Sequence, residues 1–74
     1  EINLEQNDIS YLEEYSFKKL VNLKYLNLAY NKIDYLDNKL FVDNSELIHL
    51  DLSCNKIRYL INNTFQSLIK IEKL

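Results

Sequence analysis

The stretch Leu47-Ile48-His49-Leu50-Asp51-Leu52-Ser53-Cys54-Asn55-Lys56-Ile57 decides the fold of this chain. Apolar residues hold positions 47, 50, 52 and 57, and Asn55 stands just before the last of them. The step back from Asn55 to Asn31 brings Leu23, Leu26, Leu28 and Ile33 onto the same positions. Another equal step gives Ile2, Leu4, Asn7 and Ile9, and one step downstream gives Ile71 and Leu74. The register extends beyond the quoted stretch: Leu12, Leu36 and Leu60 align, as do Tyr11, Tyr35 and Tyr59. All three phenylalanines, Phe17, Phe41 and Phe65, fall on one column. An amphipathic helix accounts for a few apolar spacings but not for Phe and Asn columns that share one period of about 24 residues. One column is broken, because Asn44 stands where Leu20 and Leu68 stand in the neighbouring units. Leu40 or Val42 turning inward would fill that gap; otherwise a packing defect is expected there.

The pattern L-x-x-L-x-L-x-x-N-x-I resembles the leucine-rich-repeat signature. A repeat of this period carrying Phe17, Phe41 and Phe65 is similar to the typical subclass, found mostly in extracellular animal proteins. The plant receptor subclass uses Gly and Pro in each unit, and this chain has neither. The string Leu50-Asp51-Leu52-Ser53-Cys54-Asn55-Lys56-Ile57 is similar to repeats of Toll-like receptors and insect cell-surface or secreted proteins. The resemblance implies an α/β-type solenoid, a right-handed coil with short parallel strands on its concave face. The convex side is expected to be extended or irregular, with little helix. The units fall at 1–22, 23–46 and 47–70, with the start of a further one at 71–74. No capping repeat is visible, so the segment reads as an excerpt of a longer solenoid.

Each unit then forms one turn of the coil. Residues near Ile2–Leu4, Leu26–Leu28 and Leu50–Leu52 should be parallel strands about 4.8 Å apart, with alternate side chains inside and outside. After each strand the chain must bend with its amides buried. Asn7, Asn31 and Asn55 carry both a donor and an acceptor and suit that bend, where an ionised aspartate lacks the donor. The Phe column is expected to stack under the convex side. With no Gly or Pro and ten Asn in the chain, Asn is the expected turn residue.

The outward strand residues should form a concave grid. Its rows read Glu1, Tyr25, His49, Lys73; then Asn3, Asn27, Asp51; then Glu5, Ala29, Ser53; then Gln6, Tyr30, Cys54. Tyr25 and Tyr30 are the leading contact candidates, because an exposed Tyr offers large area at low entropy cost. The plain reading beside it is that they shield the sheet. Tyr11, Tyr35 and Tyr59 form a second aromatic row, expected to stack and stiffen the edge. His49, Asp51 and Cys54 are metal-ligand types, but no fourth ligand is evident, so no metal is expected. No pocket or oxyanion site supports a Cys–His catalytic pair, and no enzyme or cofactor is expected. Cys54 is expected to be a small, half-buried filler. Histidine as a residue type admits an acidification sensor at position 49; an inert surface His is the commoner case.

Composition bounds the rest. The chain of 74 residues is 47% apolar and 27% charged, a globular balance. A net charge of −2 gives no reason to expect nucleic acid as partner. No apolar run approaches the roughly 20 residues that span a bilayer, so membrane attachment would come from regions outside this segment. The one cysteine allows no disulfide within the chain. Asn62-Asn63-Thr64 is an N-glycosylation sequon at Asn62, but about one sequon arises by chance in a chain this rich in Asn. By the resemblance, the expected function is recognition of a protein ligand, co-receptor, glycan or microbial molecule by an extracellular receptor ectodomain or secreted protein. The alternative is a cytosolic scaffold or regulatory subunit, where a free Cys54 is natural.

Overall fold

In the computed structural model, residues 1–13, 16–37, 39–58, 65 and 68 are described. Three short strands, β1 (Ile2–Asn3), β2 (Tyr25–Asn27) and β3 (His49–Asp51), form one parallel sheet in the order β1-β2-β3. Ile2 pairs with Leu26 and Leu26 with Leu50, so neighbouring strands are offset by one full period of the sequence. The register follows from burial, because a slip of one residue would turn Leu26 and Leu50 out to solvent. Their exposures are 2% and 0%. The molecule is a solenoid with its parallel strands in one sheet and no helix among the described residues.

Backbone bonds between turns of the coil repeat with the same period. Leu4 N donates to Asn27 O and Leu28 N to Asp51 O, both at 2.8 Å. Further along, Lys32 N donates to Ile9 O and Lys56 N to Ile33 O, also at 2.8 Å. Between these two sets the chain reverses at Gln6, Tyr30 and Cys54, with φ of 58°, 57° and 57°. A left-handed residue is the tightest way to bend the strand's exit, and here non-glycine residues carry it in all three turns.

The convex side is built from short reverse turns. Leu20 N bonds Phe17 O at 3.2 Å, Asn44 N bonds Phe41 O at 3.0 Å and Leu68 N bonds Phe65 O at 3.1 Å. A second turn follows in two units, from Leu23 N to Leu20 O and from Leu47 N to Asn44 O. Beneath them Phe17, Phe41 and Phe65 stack with centroids 6.1 Å apart at each step. The core is deepest in the middle unit, where Leu28, Ile33, Leu36, Leu40 and Phe41 are at most 1% exposed. Ile2, Leu4 and Ile9 on one flank, and Leu52 and Ile57 on the other, are half-buried. A solenoid unit buries its faces only against its neighbours, so the middle unit is the best covered.

Of the two apolar residues near Asn44, Leu40 turns inward and is buried, whereas Val42 is 45% exposed. Asn44 itself stays fully buried, and its amide donates to Phe17 O and Leu20 O, both at 3.2 Å.

Candidate functional site: the concave face

The Asn column sits at the strand exits, where it joins one coil to the one before. Asn31 Oδ1 accepts from Asn7 N and Ile9 N, both at 2.9 Å. Its Nδ2 donates to Leu4 O, Leu28 O and Ala29 O. Asn55 repeats the pattern one unit on: Oδ1 accepts from Ile33 N, and Nδ2 donates to Leu28 O, Leu52 O and Ser53 O. Asn7 is exposed, and its Nδ2 donates to Glu5 O at 3.0 Å.

A second polar column lies on the concave face itself. Asn3 Oδ1 accepts from Glu5 N, Asn27 Oδ1 from Ala29 N and Asp51 Oδ1 from Ser53 N, at 3.0, 2.9 and 2.9 Å. Each is a side chain bonding the amide two residues on, which fixes the bend after the strand. Strand alternation places Asn3, Asn27 and Asp51 on the grid as contact candidates but misses this second role. The signal for it is the Asn-Asn-Asp column, since Asn and Asp share the one acceptor oxygen that the turn needs. Asn27 Nδ2 also donates to Glu5 Oε1 at 3.1 Å, and Ser53 Oγ to Asp51 Oδ1 at 2.6 Å.

Of the other grid residues, Glu1, Glu5, Gln6 and Ser53 are exposed and His49 is half-buried. Tyr25 and Tyr30 are 46% and 55% exposed. The rings of Tyr25 and His49 meet edge to face at 6.1 Å. They form part of an open cleft of about 150 Å³, lined also by Glu1, Asn27 and Asp51 together with Ile2 and Leu26. Lys73, next in that row by sequence, lies outside the described residues, as do Tyr59 and Asn62. In the second aromatic row, Tyr11 is exposed and Tyr35 half-buried.

The structure corrects two expectations. Ala29 is not on the concave surface but 1% exposed. Strand alternation stops with β2 at Asn27, and by Ala29 the chain has already begun to turn inward. Cys54 is exposed rather than half-buried. Its left-handed backbone directs the side chain outward, as it does for Gln6 and Tyr30 in the same column. A side-chain hydrogen bond with Cys54, and then the charge on Cys54, raise the Tyr30 hydroxyl above the usual tyrosine value. Desolvation and the carboxylates of Glu5 and Asp51 push it the same way.

Among the described residues no group of three or more His, Cys, Asp or Glu is placed to hold a metal ion. The same residues contain no helix long and apolar enough to cross a membrane. What remains chemically is a polar, aromatic and acidic surface on a sheet whose backbone is already paired. No single curated protein matches the chain. The model of the family described as leucine rich repeat matches residues 1–47 and 22–74, which together span its whole length. On that match, and on the coil that carries it, the chain belongs to the leucine-rich-repeat family, whose members are typically binding scaffolds that recognise proteins.

Proposed function

We propose that the concave face recognises a protein ligand or co-receptor, with Tyr25 and Tyr30 as its anchors, in an extracellular receptor ectodomain or a secreted immune or adhesion protein. The observation that carries this reading is the pair of half-exposed tyrosines on a face whose backbone groups are already bonded. Such a face offers aromatic area without unpaired strand edges along its middle, a combination suited to a selective contact. The extracellular placement is supported by the resemblance to Toll-like and insect cell-surface repeats, and by the sequon at Asn62.

A photoreactive residue placed at Tyr25 in the full chain, within its native cell, tests the face. It is expected to crosslink a partner that the same residue at Val42, on the convex side, does not capture. Crosslinking from Val42 alone would reject the concave reading.

A second reading, a cytosolic scaffold using the same face, is favoured by one observation: Cys54 is an exposed free thiol. Exposed thiols persist most readily in reducing compartments. Glycopeptide mass spectrometry at Asn62 separates the two, since an attached glycan excludes the cytosol.

A further inference from the structure

We propose that the cleft beside Tyr25 and His49 seats a cationic side chain of the protein partner, and arginine in particular. The proposal rests on the concave-face reading and specifies what that face selects.

Charge is the first argument. The net charge of −2 hides an asymmetry between faces. Glu1, Glu5 and Asp51 lie on the concave grid, whose one cation by sequence, Lys73, is outside the described residues. Lys24, exposed just before β2, does not line the cleft, and Lys32 lies past the Asn column, 3.5 Å from Asp8. After Cys54 and desolvation, Glu5 and Asp51 also raise the Tyr30 hydroxyl on this face. A cationic group approaching this face is attracted, and an anionic one repelled.

Size and shape narrow the occupant. A volume of about 150 Å³ is large enough to take the head of one side chain. One wall is aromatic, formed by the Tyr25 ring set edge to face against His49. Glu1 on the β1 side and Asp51 at the end of β3 bring carboxylates to the same cleft. A planar guanidinium can lie on a tyrosine face while donating in-plane hydrogen bonds to carboxylates. The compact ammonium of lysine has no planar donor fork to stack in this way, and it is more strongly hydrated in an open cleft.

The test is a titration of the isotopically labelled full chain with blocked Gly-Arg-Gly peptide, and with its citrulline counterpart, which keeps the shape and removes the charge. The arginine peptide is expected to shift the Tyr25 and His49 ring signals saturably, and citrulline is expected to leave them in place. Tyr25→Ala and Asp51→Asn should each weaken binding about tenfold. Tyr25→Phe should retain it, which separates loss of the aromatic wall from loss of fold. Equal shifts with citrulline would show a cleft for neutral ligands and overturn the proposal while leaving the concave face as the binding surface. An arginine peptide that shifts neither ring also overturns it, and the crosslinking from Tyr25 then decides the concave reading separately.

Discussion

The side-chain oxygen of Asn31 lies 2.9 Å from the backbone nitrogen of Asn7, one period earlier in the chain, and accepts its hydrogen. The same oxygen takes the hydrogen of Ile9 N, so one atom satisfies two amides of the preceding coil. Removing it leaves both donors orphaned at a part-buried site. Asn31→Ala should therefore lower stability by about 1–3 kcal/mol. Lys32→Ala should change it by less than about 0.5 kcal/mol, because its ion pair with Asp8 is exposed. Chemical denaturation of the full chain checks the contrast, and equal losses would refute the role of Asn31.

Asn44 is more deeply buried than Asn31, yet its replacement should cost less. The carbonyls of Phe17 and Leu20 that receive its amide already accept from Leu20 N and Leu23 N. A carbonyl oxygen has two lone pairs, so loss of the second bond leaves neither group unpaired. The Oδ1 of Asn44 is buried with no hydrogen-bond partner, a cost that leucine would remove. Asn44→Leu, which restores the residue type at Leu20 and Leu68, should leave stability within about 1 kcal/mol or raise it. Asn44→Asp should lower it by more than about 2 kcal/mol at neutral pH, by putting a carboxylate against two carbonyls in a dry site. Thermal unfolding of both variants distinguishes these outcomes.

Tyr30 supplies a prediction in pH. Its hydroxyl titrates above the ordinary tyrosine value of 10.0, chiefly through Cys54. Because the folded state holds the proton more tightly than the unfolded chain, the associated stabilisation is present below the unfolded value. It is lost as pH rises through the folded one. Cys54→Ala should move the Tyr30 titration down toward the ordinary value, measured by phenolate absorbance against a Tyr30→Phe blank. An unchanged titration would show that the neighbouring thiol is not the cause.

The repeat period is legible in the sequence because a solenoid repeats its environment, so each column in sequence meets the same neighbours in space. The pairing of Ile2, Leu26 and Leu50 follows directly from that alignment. Other features depend on backbone geometry that residue type does not reveal. Alternation extended by two residues points Ala29 outward, but β2 ends at Asn27. The small size of Cys54 suggests a filler, yet a φ of 57° turns it out. Asn3, Asn27 and Asp51 do face outward from the sheet. Their bonds to the amides of Glu5, Ala29 and Ser53 concern the turn as much as any ligand. The burial of Asn44 on the convex side is hidden in the sequence because a broken Leu column looks the same whether the polar residue leaves the core or stays in it.

The measurement that bears most directly on the account is the affinity, by calorimetry, of the partner captured from Tyr25 for two paired variants of the full chain. Tyr25→Ala with Tyr30→Ala should weaken binding at least about tenfold without lowering the unfolding temperature, since both rings are half-exposed. Val42→Ala with Lys39→Ala, on the convex side, should bind as the parent does. The opposite pattern, with the convex pair weakened and the tyrosine pair unchanged, would contradict the claim that the concave face is where this repeat protein recognises its partner.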